Sequence, residues 1–305
     1  MFGICNLSIV PCRKEPSDKS EMVTQLLFGE HFQLLDSKGN WQLIRIAHDG
    51  YECWIDKKQF LPLSAKTHSG IKESGTAVTT DLLQLAASPP CSAKALPPSA
   101  AGSAEAMREG EKEREQHIAI VLGSSLPKYR DKEFFLGKEK YVFEGSTAFP
   151  FKNKDKAPSW GGGLGEVALW YLNAPYLWGG RSPFGIDCSG LTQMVFKLNG
   201  IKLKRDAWQQ AEQGKALSFL EEAQTGDLAF FDNEDGKIVH VGIIASPLDP
   251  LSKGRGEKGT GVERGEASII HACGKVRIDK IDHQGIYNEE IKKYTHRLRV
   301  VKRMH

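Results

Sequence analysis

A chain of 305 residues is two to three times the size of a common domain, so more than one hydrophobic core is expected. Hydrophobic content of 40% and charged content of 26% are those of an ordinary globular protein. The net charge of +3, with acids and bases interleaved as in Arg108–Gln116, lacks the basic stripe of a nucleic-acid binder, and no apolar run approaches the length of a membrane-crossing helix.

At the N-terminus, Met1–Arg13 has no basic leader and only a short apolar run, so a cytoplasmic address is expected. Strands are predicted at Phe32–Leu35, Trp41–Ile46 and Tyr51–Ile55. Between them lie Ser37-Lys38-Gly39-Asn40 and His48-Asp49-Gly50, both with strong turn chemistry, and the spacing predicts a small all-β barrel over residues 1–64. Residues 86–104 are almost entirely Ala, Ser and Pro, and a charged run follows to Gln116. Strand-like Thr79–Leu85, Ile118–Leu122 and Lys140–Phe143 flank that stretch, predicting a second β domain over 65–157 with an insertion at 86–116. From about Pro158 the texture changes. Leu164–Leu172 has helical spacing, and Leu191, Val195 and Leu198 recur at i, i+4 and i+7, predicting an amphipathic helix. Strands are predicted at Asp227–Phe231, Ile238–Ile244 and Ser268–Ala272, with Asp235-Gly236 turning the first hairpin. A helix followed by an antiparallel meander makes residues 158–305 an α+β domain. Residues 247–266 read as a polar insertion between the last two of these strands.

Six cysteines (Cys5, Cys12, Cys53, Cys91, Cys188, Cys273) show neither a C-x-x-C pair nor metal-ligand spacing with histidine, so free thiols are expected and no metal site. Cys188 opens the predicted helix, with Asp187 or Ser189 placed to cap it, where the helix dipole should lower the thiol's pKa. His240 lies mid-strand and shares a face with Ile238, Gly242 and Ile244, and the absence of a side chain at Gly242 leaves room beside the imidazole. A base imidazole is usually oriented by a third polar group, and His271 in the next strand can accept its distal N–H. The order Cys188, His240, His271 is therefore coherent as a triad. Against it, a buried cysteine is more often a small hydrophobe, and Cys273 shares a strand face with His271. His31, His48, His283 and His296 show no evident partner in the sequence.

Tyr171–Ile278 closely resembles the NlpC-type cysteine peptidases of bacterial cell-wall turnover. The likeness lies in Tyr176-Leu-Trp-Gly-Gly180, Ser182-Pro-Phe-Gly-Ile-Asp-Cys-Ser-Gly190, Arg205-Asp206, Gly226-Asp-Leu-Ala-Phe-Phe231, His240-Val-Gly-Ile and Ile270-His-Ala272. The N-terminal run Glu30-His-Phe-Gln-Leu-Leu, Trp41 and Asp49-Gly-Tyr-Glu-Cys-Trp54 resembles the bacterial SH3-like domains found beside such enzymes. The resemblance implies a papain-like core behind SH3-like barrels, with Cys188 the nucleophile, His240 the base, His271 the orienting residue and Tyr176 at the oxyanion site. It further implies hydrolysis of the γ-D-Glu–diamino acid bond of free murein tripeptides or tetrapeptides carrying N-terminal L-Ala, without a cofactor. In that branch Asp187 and Ser189 bind the substrate amine, joined by an acid and a tyrosine of the first SH3-like domain, here Glu21 (or Glu15) and Tyr51. One departure is Ala207 where relatives often carry serine, which removes a possible amine contact. A thiol amidase or acyltransferase on another amide or lipid, and a non-catalytic wall-binding protein, are the competing readings. Oligomeric state is not legible.

Overall fold

Gly39 and Gly50 take φ of +56° and +77°, a left-handed backbone that glycine adopts without a Cβ clash, and so turn the predicted strands back on themselves. In the computed structural model, which describes residues 1–71, 75–88, 116–137, 139–151, 163–245 and 267–304, these strands are His31–Lys38, Trp41–Ile46 and Glu52–Asp56. With Phe2–Ile4, Ile9–Arg13, Met22–Leu27 and Leu61–Leu63 they form one seven-stranded sheet. Its apolar face buries Val10, Cys12, Leu26, Phe32, Ile44 and Ile55.

A second β unit follows, with sheets of four and three strands. Leu83–Ser88 pairs with Gln116–Val121, Ser88 opposite Gln116, so residues 86–88 and 116 belong to strands rather than to the insertion assigned from composition. Residues 89–115 lie outside the described residues, as do Cys91 and the 247–266 insertion. Phe134, Tyr141 and Phe143 share a core with Ile4 and Phe28 of the first unit, which locks the two β units together.

In the third unit, strand Lys293–Arg303 pairs with both Leu228–Asp232 and Gly285–Asn288. Those three strands, with Ile238–Ala245, Ser268–Cys273 and Lys275–Ile281, therefore close into an antiparallel ring, and Lys215–Ala216 adds outside it. Period-2 alternation splits the side chains between two cores. Phe230, Val241, Ile243, Ile270 and Ala272 meet the helix Cys188–Leu198, while Ala229, Phe231, Ile244, Ile269 and Ile286 form a separate cluster. The ring's last three strands lie beyond those the sequence pattern predicts.

The helix Cys188–Leu198 is not amphipathic as its spacing predicted: all eleven residues are buried, Lys197 included. Its second face is covered by the β units. Lys197 donates to Glu30 and to the Gly123 carbonyl, and Gln193 donates to Asp49. Strands dominate overall, and among the described residues no helix is long and apolar enough to cross a membrane.

Candidate active site

Asp187 adopts extended backbone and accepts from the Gly190 N–H at 2.6 Å, so it caps the helix that begins at Cys188. Its other ties are the Gly179 N–H at 2.8 Å and the Arg205 guanidinium, at 3.1 Å on Oδ1 and 2.6 Å on Oδ2. With the Ser189 hydroxyl at 3.4 Å included, Oδ1 already accepts three hydrogen bonds from the protein and Oδ2 two. Arg205 also donates to the Ser189 hydroxyl at 2.9 Å and to Thr24 of the first β unit at 2.9 Å. The direct roles of Asp187 and Ser189 in the structure are to start the helix and hold a buried arginine, and a substrate amine would meet these groups only at positions shared with Arg205.

Cys188 is buried, and its thiol lies within hydrogen-bonding reach of the Val241 and Ser189 N–H groups. The lowered pKa expected from the helix dipole is not what results. Burial, and next the Asp187 carboxylate, push the thiol up to about 12, outweighing the two N–H groups and Arg205. Tyr176 lies alongside, and burial together with Cys188 and Asp187 raises its phenol, so it remains an O–H donor. Cys273, the rival thiol, sits exposed at a strand end, its pKa raised by partial burial.

His240 and His271 meet as the spacing predicted. His271 stands directly opposite Gly242 in the strand register, and the two imidazoles are joined by His240 Nε2 and His271 Nδ1 at 2.8 Å. A Cβ at position 242 would come within 2.6 Å of Ile269 Cδ1 and 2.9 Å of His271 Cβ, so only glycine admits this approach. His240 is buried, and its pKa falls well below the ordinary value through burial, His296 and His271. The resting pair is therefore neutral thiol and neutral imidazole, rather than thiolate and imidazolium. The acid limb of kcat/KM, which reports the free enzyme's base, should consequently lie below about pH 6.5, the value for free imidazole. An acid limb at or above neutrality in a pH–rate profile would contradict the burial of this ring.

Three members of the site went unread in the sequence. His271 Nε2 contacts Asp279 Oδ2 at 2.9 Å, and Arg277 forks onto both Asp279 oxygens at 2.7 and 2.9 Å. His296, for which the sequence offered no partner, stacks on His240 with centroids 4.1 Å apart and planes 23° apart. Burial, and then His271, lower its pKa to about 4. The other histidines also have places: His31 pairs with His68, His283 with Glu221, and His48 is buried and held neutral. A signal for Asp279 existed, since Arg277 and Asp279 alternate with apolar Val276 and Ile278 on the strand next to His271. His240, His271 and His296 place three ring nitrogens within 4.8 Å of one another, a possible metal-ligand set. The near-parallel stacking of His240 and His296, however, keeps their in-plane lone pairs from converging on one ion.

Besides Thr24, the first β unit meets this site through Glu21 and Tyr51. Glu21 accepts from the Trp178 indole N–H at 2.9 Å and pairs with Lys14. Tyr51 hydrogen-bonds Asp206, which also receives a bond from Trp208 and whose pKa is raised by burial. Glu15 contacts Ser20 within its own turn. Asp187, Asp206 and Arg205 together sum to one negative charge in this seam.

A family profile described as NlpC/P60 family matches residues 173–298, and one described as bacterial dipeptidyl-peptidase Sh3 domain matches residues 12–60. A gamma-D-glutamyl-L-lysine dipeptidyl-peptidase of Bacillus subtilis (strain 168) is 32% identical over 237 residues, covering 72% of this chain and 68% of its own. The Bacillus cereus (strain ATCC 10987 / NRS 248) protein of the same description is 25% identical, covering 79% and 70%. A crystal structure of an NlpC/P60 family protein from Bacillus cereus ATCC 10987 superposes with a TM-score of 0.70 at 18% identity, covering 100% of this chain and 99% of that one.

Proposed function

The chain belongs to the NlpC/P60 family of cysteine peptidases, and from that premise we propose that it hydrolyses the γ-D-Glu–diamino acid bond of free murein peptides with an N-terminal L-Ala. The observation that carries this reading is the placement of a buried thiol against the Val241 amide, next to the hydrogen-bonded His240–His271 pair. Beside it runs a negatively charged seam built jointly with the first β unit.

Cys188 attacks the γ-carbonyl and forms the C–S bond. With Nε2 of His240 engaged by His271, Nδ1 is the nitrogen that takes the thiol proton. The Cys188 N–H and the Tyr176 hydroxyl receive the oxyanion. Collapse of the tetrahedral adduct expels the diamino acid's amine, which takes the proton back from Nδ1. Water, deprotonated by His240, then cleaves the thioester. The substrate's free ammonium balances the seam's net negative charge, held by Asp206 and Tyr51 with Glu21 at the rim and Asp187 and Ser189 beneath. Asp206 thereby supplies the contact that Ala207 lacks. A free peptide of this kind suits recycling of wall fragments in the cytoplasm. No metal or organic cofactor enters the reaction.

The test is mass spectrometry of L-Ala-γ-D-Glu-meso-diaminopimelate and of its L-lysine counterpart after incubation with the protein. Release of L-Ala-D-Glu, abolished by acetylating the peptide's N-terminus, is expected from at least one of them. Absence of cleavage of both by reduced protein overturns the substrate assignment. Equal cleavage of acetylated and free peptide overturns the ammonium seam.

A further inference from the structure

The His240–His271 pair leaves one question of chemistry: which ring nitrogen of His240 carries the proton at rest. Neutral imidazole has one donor and one acceptor nitrogen, so each hydrogen bond in a chain of histidines fixes the next. The far end of this chain is Asp279. Arg277 donates from Nε to Oδ2 and from Nη2 to Oδ1, and Glu290 anchors Arg277 at 3.1 Å. A carboxylate gripped on both oxygens by a guanidinium stays ionised and can only accept. His271 Nε2, 2.9 Å from Oδ2, must then be the N–H donor. With Arg277 balancing the Asp279 charge, a single ring hydrogen on Nε2 satisfies this contact.

His271 therefore presents a bare Nδ1, and the 2.8 Å contact requires His240 Nε2 to carry the hydrogen. The only lone pair left on His240 is Nδ1, the one needed to accept a thiol proton. We propose that Asp279, clamped by Arg277, is a positioning residue that sets the tautomer of His240 through His271, extending the Cys-His-His set to a four-membered chain. When His240 becomes imidazolium, the same bonds lead its new charge to the Asp279 carboxylate. This rests on the reading of Cys188 and His240 as nucleophile and base, but touches neither directly.

Asp279→Asn keeps shape while allowing the side chain to donate to His271 Nε2. That would reverse every hydrogen bond in the chain and put the hydrogen of His240 on Nδ1. His271→Asn provides the control background, because its Oδ1 falls where His271 Nδ1 was and accepts from His240 without consulting Asp279. In the wild-type background Asp279→Asn should lower kcat by about tenfold or more while KM changes by less than about twofold. In the His271→Asn background the same substitution should leave kcat unchanged. An equal loss in both backgrounds, or no loss in either, overturns the proposal. Nitrogen-15 spectra of the histidine rings decide the matter without turnover. His240 should read as the Nε2–H tautomer in wild type and gain Nδ1–H character in Asp279→Asn, and an unchanged tautomer overturns the assignment. Full activity of Cys188→Ala would instead remove the underlying reading while leaving the ring spectra as predicted, so the two failures are distinguishable.

Discussion

Cys188→Ala is expected to lose activity on the γ-D-glutamyl peptide by about a thousandfold or more, the scale on which peptidase nucleophiles act. The fold should survive. The side chain is small and its immediate ties are to backbone N–H groups of Val241 and Ser189, so removing the sulfur opens only a minor void. Cys273→Ser, by contrast, should leave kcat/KM within about twofold, because this exposed thiol at a strand end neighbours Tyr176 but takes no part in the His240–His271 chain. The pair of variants separates the two cysteines that strand parity alone left as rivals. The test is initial rates of peptide cleavage alongside circular dichroism spectra of each variant. A folded Cys188→Ala protein that still turns over, or a Cys273→Ser protein that does not, would move the nucleophile. Because burial and Asp187 push the resting thiol up to about 12, the proposed mechanism requires its ionisation to be coupled to His240 rather than completed beforehand. This places the burden of catalysis on the orientation of the imidazole.

Glu30→Gln should be the most damaging conservative substitution for stability. Glu30 is buried in the first β unit, where Arg181 of the third unit grips it with both terminal nitrogens at 2.8 and 3.0 Å and Lys197 of the helix that begins at Cys188 binds at 2.7 Å. Lys197 reaches onward to Gly123 of the second β unit, so all three units meet at one carboxylate. Neutralising it leaves two buried cations without their hydrogen-bonded counter-charge, Asp49 alone still acting on both, a situation that costs about 3–5 kcal/mol. An exposed pair makes the contrast: Arg45 and Glu52 are 2.6 Å apart but half-exposed, and Glu52→Gln should cost less than about 1 kcal/mol. Denaturant melts of both variants check this, and a Glu30→Gln loss as small as that of Glu52→Gln would refute it.

The pH dependence has a definite sign. Burial alone would raise the Glu30 carboxyl, but Arg181 and Lys197 outweigh burial and hold it far below the usual carboxylate range. Its folded value lies under its unfolded value, so the stabilisation is present above about pH 4.3, the ordinary glutamate value. It is lost as pH falls from there towards the folded value. The stability gap between wild type and Glu30→Gln should accordingly narrow on acidification.

Sequence and structure divide this protein along physical lines. Strand alternation, turn glycines and the helix start at Asp187 are local properties, set by residues within a few positions of one another. They point to Cys188, His240 and His271 as candidates and predict the space at Gly242. The turn residues around Gly39, Gly50 and Gly236 did the same for the hairpins. What required the folded chain were the relations between segments far apart in sequence. The helix carrying Cys188 reads as amphipathic because periodicity registers only the apolar side. Its polar residues Gln193 and Lys197 are buried by partners some 144 and 167 positions away. The raised thiol pKa is likewise a consequence of burial, which no helix-end argument contains. His296 came to the imidazoles through closure of the strand ring, a pairing between the last strand and two others, whereas Asp279 and Arg277 lie on the hairpin strand beside His271. Charge has the longest reach and needs the partner's position to decide its effect, so the sequence by itself determined which groups could react, and the tertiary structure decided which of them are neutral, oriented and joined.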